Sequence, residues 1–113
     1  MSKRSNRELL QDIVESIHKI IRYTEGISYE TFITDEKTID AVVRNFEIIG
    51  EAANRVEETV KSQFPEVEWR RIIGLRNRIV HDYFGIDLGI IWQIIEENLL
   101  DFQIQIEDMM DKM

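Results

Sequence analysis

The sequence contains no cysteine, which excludes disulfides and thiolate-held metal ions outright. Its two histidines, His18 and His81, are too few for a histidine-rich metal centre. Five glycines and a single proline, Pro65, are too few for the many turns of a β-sandwich. Long hydrophobic runs are also missing. A stretch such as Leu88-Gly89-Ile90-Ile91-Trp92 falls far short of the ~20 apolar residues that cross a bilayer. The basic opening Met1-Ser2-Lys3-Arg4-Ser5-Asn6-Arg7 runs into an amphipathic stretch without the apolar region of a signal peptide. A cytoplasmic location with no membrane partner is the expectation.

Positive charge is scarce too. Fourteen Lys and Arg stand against 22 Asp and Glu, a net charge of −8, which argues against non-specific coating of nucleic acid. The cations that exist are concentrated. Arg70, Arg71, Arg76 and Arg78 fall within nine residues that contain no acid. A local cationic site on an acidic protein remains open.

What is present favours helices: Ile, Leu, Glu, Lys, Arg and Gln dominate a chain of 113 residues, the length of one domain, 1–113. Ser5 with Glu8 forms a capping-box pattern, and Leu9, Ile13, Ile17, Ile20, Ile21 and Thr24 recur at helical spacing, predicting a first helix over 6–24 that Gly26 ends. A loop follows, with room for one helical turn at Tyr29–Ile33. Thr34 or Asp35 can cap the next helix, whose stripe of Ile39, Val42, Val43, Phe46, Ile49, Ala53, Val56 and Val60 extends to about Lys61. Gly50 and Ala53 are small and lie on that stripe, so a close approach by another helix is expected there. Pro65, Glu66 and Glu68 suit the first turn of a helix over about 66–83, stopped near Phe84-Gly85. Asp87 caps the last helix, carrying Leu88, Ile91, Trp92, Ile95, Leu99, Phe102, Ile106 and Met109. The expected fold is all-α, an antiparallel bundle of four to five helices.

The segment over 66–83 carries the chemistry. At about 100° per residue, Trp69, Ile72, Ile73, Ile79, Val80 and Tyr83 fall within about 60° of one direction, with Arg76 in their midst. A guanidinium on an apolar stripe is costly unless it is paired or reaches a cavity. Asn77 and His81 are one turn apart on the shoulder of the stripe and can meet. Arginine offers forked donors to phosphate, and imidazole exchanges protons near neutrality. RNA brings its own nucleophile, the 2′-hydroxyl, so this set suits RNA cleavage without a metal or other cofactor.

Plainer roles fit the same residues. Arg76 can pair with Glu47 or Glu51 of the preceding long helix. His81 can serve as a cationic helix end, Tyr83 as core, and His18 as a surface residue. Trp69 and Trp92 fit the stripes as packing residues. Glu57-Glu58 and Glu96-Glu97 read as a solvated acidic face.

Arg76-x4-His81-x-Tyr83, preceded by Trp69-Arg70-Arg71-Ile72-Ile73-Gly74-Leu75 and followed by Phe84-Gly85-Ile86-Asp87, resembles the signature of the HepT-like branch of the HEPN superfamily. Val43-Arg44-Asn45-Phe46-Glu47-Ile48-Ile49-Gly50-Glu51-Ala52-Ala53 is similar to that family's second characteristic segment. The resemblance spans nearly the whole chain and implies a dimeric HEPN bundle, with the motif helices of both protomers facing one cleft. It also implies a metal-independent ribonuclease, the toxin of a type VII-like toxin–antitoxin pair. The expected partner is a minimal nucleotidyltransferase antitoxin that transfers AMP to the motif tyrosine. By position, Arg76 and His81 would be catalytic, Asn77 supporting, Arg78 substrate-binding and Tyr83 the AMP acceptor. A non-catalytic helical module that binds a nucleotide or the nucleotidyltransferase is the alternative.

Overall fold

The computed structural model describes residues 4–81 and 86–113, the side chains of Val80 and His81 excepted. Among the described residues there are seven helices and no strand: α1 (Asn6–Thr24), α2 (Tyr29–Phe32), α3 (Glu36–Arg55), α4 (Glu58–Lys61), α5 (Trp69–His81), α6 (Leu88–Glu97) and α7 (Leu99–Lys112). The expected all-α bundle is present.

Local chemistry sets the helix starts. Ser5 Oγ accepts the Glu8 N–H at 3.1 Å while Glu8 Oε1 accepts the Ser5 N–H at 3.0 Å, so the capping box forms as the spacing predicts. Of the two candidate caps for α3, Asp35 serves: its carboxylate accepts the Thr38 N–H at 3.1 Å and the Thr38 hydroxyl at 2.6 Å. Gly26, at φ +77°, takes the left-handed geometry that ends α1. Asp87 Oδ1 accepts the Gly89 N–H at 2.8 Å and caps α6.

The α3 helix is the centre of the bundle, with α1 against one side and α5 against the other, and α7 lies along α1. Two contacts at the ends give the directions. The Glu57 N–H, just beyond α3, donates to Asn6 at the start of α1, and Arg7 donates to the Met110 carbonyl near the end of α7. Both neighbours therefore run antiparallel to α1. Leu10, Ile13, Ile17 and Ile20 of α1 meet Val42, Phe46, Ile49 and Ala53 of α3 in one apolar core. Burying side chains of this size contributes about 1.5–3 kcal/mol each against the entropy of ordering the chain.

Three boundaries depart from the sequence pattern. The helix expected to reach Lys61 stops at Arg55, because Val56 turns extended (φ −62°, ψ 136°) and is buried at 2% exposure. After the break, α4 folds the Lys61 ammonium back to donate to the Ala53 carbonyl at 3.0 Å, satisfying an acceptor in the last turn of α3. The helix expected from about 66 begins three residues later, at Trp69. Its indole N–H donates to the Phe64 carbonyl at 3.2 Å, holding Pro65 in a turn instead of a first helical turn. The last helix is split at Asn98 (φ −121°, ψ −29°), with Ile91 and Leu99 buried on either side of the bend. The expected stop near Phe84-Gly85 lies outside the described residues.

Helix packing is tightest where small residues sit on the α3 stripe. A Cβ on Gly50 would collide with the Cβ of Arg76 and come within 2.8 Å of its Cγ and 3.2 Å of the Ile72 carbonyl. Gly74, in the middle of α5, has open space where its Cβ would be. Gly50→Ala should therefore destabilise the fold by about 1–3 kcal/mol through overpacking. Gly74→Ala should stabilise it by about 0.5–1 kcal/mol by removing backbone freedom from the unfolded chain. Urea unfolding of the two variants checks the opposite signs.

The cap carboxyls make a second measurable feature. Hydrogen bonds from Thr38 hold Asp35 below the ordinary aspartate value, and those from Ser5 hold Glu8 below the ordinary glutamate value. A carboxyl depressed on folding adds stability that is fully present above its unfolded pKa and lost as pH falls through its folded one. Stability should thus decline on acidification through and below the usual carboxylate range. Asp35→Ala should flatten part of that decline in unfolding midpoints measured against pH.

Candidate active site

The α5 helix delivers the motif. Trp69 and Ile79 are buried, and Ile72, Ile73 and Leu75 pack against the core, so the apolar stripe faces inward as the periodicity predicts. Arg76, in the middle of that stripe, lies against α3 with its stem on Gly50. The alkyl stem occupies the space a side chain at position 50 would fill. This is how an arginine fits on a core-facing stripe.

The guanidinium then reaches the edge of the α3–α5 contact. Its Nη2 lies 2.9 Å from Glu51 Oε2, and its Nη1 donates to Asn77 Oδ1 at 3.0 Å. Its Nε is buried and has no hydrogen-bond partner. Of the two carboxylates weighed from sequence, Glu51 is the partner, while Glu47 pairs with Arg44 at 3.2 Å. The side chains of Arg76 and Glu51 are 27% and 46% exposed, so the pair opens to solvent instead of being sealed inside the fold. Arg76 is thus an ion-paired arginine whose side chain is still partly exposed to solvent.

Asn77 is exposed and its side-chain oxygen is on Arg76. The expected meeting of Asn77 with His81 involves an imidazole outside the described side chains, and Tyr83 also lies outside the described residues. His81 is the last described residue of α5. The other clustered cations are exposed on the outer side of the helix. Arg71 lies 2.8 Å from Glu68, while Arg78 borders a small cleft with Leu75, Ile86, Asp87 and Ile90. Half of the arginine cluster, Arg71 and Arg76, therefore faces a carboxylate in the free chain.

A second concavity lies beside the motif helix, an open pocket of about 280 Å³ with an apolar interior and Glu66, Glu68, Arg71, Asn98 and Gln105 also lining it. Its apolar lining includes Phe46, Ile49, Leu75, Ile94 and Phe102. Sequence inspection did not separate these residues from ordinary core, because they follow the same helical periodicity. Two buried polar groups also escaped it. Lys61 is 5% exposed, and Asn45, 6% exposed, donates to the Ala41 carbonyl at 2.8 Å while its own oxygen has no partner.

Residues 13–109 match the model of the family described as ribonuclease HepT-like. A candidate RNase of Methanocaldococcus jannaschii is 39% identical over 107 residues, covering 95% of this chain and 98% of its own length. A candidate ribonuclease HepT of Thermococcus cleftensis is 39% identical over 86% of this chain and 88% of its own length. A candidate RNase of Caldanaerobacter subterraneus subsp. tengcongensis is 32% identical over 94% of this chain and 95% of its own length. No solved structure matches the chain. Fold, motif and family match agree: the chain belongs to the HepT-like ribonuclease family. Among the described residues no helix is long and apolar enough to cross a membrane.

The exposure of the Arg76–Glu51 pair bears on stability. Solvent-exposed pairs contribute about 0–1 kcal/mol. Methionine would keep most of the stem packing on Gly50. Arg76→Met should change the unfolding free energy by less than about 1 kcal/mol in urea titrations. A loss of several kcal/mol would mark the pair as a structural lock.

Proposed function

We propose that the protein is a metal-independent RNA endonuclease in which Arg76 and His81 are the catalytic residues. The observation that carries this reading is the solvent-reachable guanidinium of Arg76, held at the α3–α5 crossing five residues before His81 on one helix. In the reaction the RNA 2′-oxygen attacks the adjacent phosphorus and the bond to the 5′-oxygen breaks, leaving a cyclic phosphate. A base takes the 2′-hydroxyl proton and an acid protonates the departing 5′-oxygen. Arg76 neutralises charge building on the phosphoryl oxygens. Asn77 holds one arm of the guanidinium, and exposed Arg78 contacts the RNA backbone.

Each chain has one histidine in the motif, and the reaction benefits from two. A homodimer with its two-fold axis at the cleft supplies His81 twice. In support, α6 carries Leu88, Ile90, Ile91, Trp92, Ile94 and Ile95, yet of these only Ile91 is fully buried and Ile90 is 43% exposed. Its polar residues, Gln93, Glu96 and Glu97, share one exposed face, and the half-buried apolar remainder around Ile90 is the part a second copy would cover.

The same reading makes the protein the toxin of a type VII-like toxin–antitoxin pair. Its partner is a minimal nucleotidyltransferase that moves AMP from ATP to the Tyr83 hydroxyl and releases pyrophosphate. The bulk and negative charge added beside the motif would oppose RNA binding and engage Arg76.

Purified protein should cut single-stranded RNA in the presence of a chelator, and Arg76→Ala or His81→Ala should each lower the rate by about 10²-fold or more. Tyr83→Phe should keep the cleavage and lose AMP incorporation by the nucleotidyltransferase. Tight complex formation with the nucleotidyltransferase, and no cleavage by unmodified protein, would favour a binding module instead. The carboxylate already on Arg76 is the observation that keeps that second reading in view.

A further inference from the structure

We propose that Glu51 is a positioning residue for Arg76 in RNA cleavage, an inference that rests on the nuclease reading above. Two consecutive residues of α3 hold the arginine at its two ends. Gly50 receives the Cβ and Cγ of the stem, and Glu51 lies 2.9 Å from Nη2 at the head. Asn77 also contacts the head, at 3.0 Å, but it belongs to the same helix and moves with it. Glu51 is the contact that ties the guanidinium across to the second helix.

The donor count shows why this hold leaves the arginine usable. A guanidinium has five N–H groups. The Nε–H is buried against the helix crossing, one Nη1 hydrogen goes to Asn77, and one Nη2 hydrogen goes to Glu51. One hydrogen on each terminal nitrogen is left for a phosphate. Glu51 therefore anchors the fork without consuming it. Four rotatable torsions would otherwise leave the head of Arg76 to wander, and small displacements of a catalytic group cost large factors in rate.

The charge of Glu51 separates positioning from affinity. A carboxylate next to a phosphate site repels RNA, so Glu51 cannot act by drawing substrate in. Its contribution is to kcat through its acceptor oxygen, at some expense in KM. Glutamine keeps an acceptor oxygen and removes the charge, whereas alanine removes both.

The test is steady-state cleavage of a fluorogenic single-stranded RNA oligonucleotide by the full chain in chelator. Glu51→Ala should lower kcat on the order of tenfold without raising KM. Glu51→Gln should restore kcat to within about threefold of the unsubstituted protein and lower KM. Glu47→Ala, which removes a neighbouring α3 carboxylate paired to Arg44, should change neither. An unchanged kcat in Glu51→Ala, or a Glu51→Gln variant as impaired as Glu51→Ala, would overturn the positioning role. If Arg76→Ala also cut RNA normally, the site reading itself would fail. A second readout is independent of turnover: the Arg76 Nε–H signal in ¹⁵N NMR, assigned by its loss in Arg76→Met. Slow exchange that becomes fast in Glu51→Ala supports the anchor, and slow exchange that persists there refutes it even if no RNA is cut.

Discussion

The architecture depends on one close crossing, where the stem of Arg76 lies on the bare backbone of Gly50. Interhelical spacing follows from side-chain size at the contact, and here the contact on α3 has no side chain at all. That lets α5 approach closely enough for an arginine to lie on a core-facing stripe with its head at the rim. Trp69 and Ile79 bury the ends of the same stripe, so the arginine interrupts the core without opening it. The apolar stem satisfies packing and the charged head satisfies solvation, which resolves the apparent cost of a cation among isoleucines.

Much of this is legible in the sequence. The capping box at Ser5 and the Asp35 and Asp87 caps follow from local rules, and α1, α3 and α6 start where those rules place them. The small residues Gly50 and Ala53 pointed to a close approach, and that approach occurs at Gly50. Helix ends were less legible. The break at Val56 depends on Lys61 returning from a later turn, and the late start of α5 depends on Trp69 reaching back to Phe64. Both are contacts between elements, which a helical period cannot contain.

At the site, the wheel of α5 marks Arg76 as anomalous, while the sequence alone does not choose between Glu47 and Glu51 as its partner. These two residues differ by one turn on α3, so the choice depends on the axial offset of two helices, a tertiary quantity. Once Gly50 fixes that offset, Glu51 is the carboxylate beside the guanidinium and Glu47 turns to Arg44. The overall acidity, which sits awkwardly with an RNA substrate, also takes a more definite form. Acidic side chains at Glu51 and Glu68 stand directly against the arginines, so part of the cationic cluster is matched within the free chain.

The ammonium of Lys61, buried at the end of α3, bears on the stretch of helix that carries Glu51. A helix terminus normally frays over its last turn, and Glu51 is only one turn from Arg55, where α3 ends. An internal cation bonded to the Ala53 carbonyl satisfies an acceptor in that turn and so opposes fraying of the helix end. The short hook after Val56 thus works as a clasp on the end of the helix that presents Glu51 to the guanidinium.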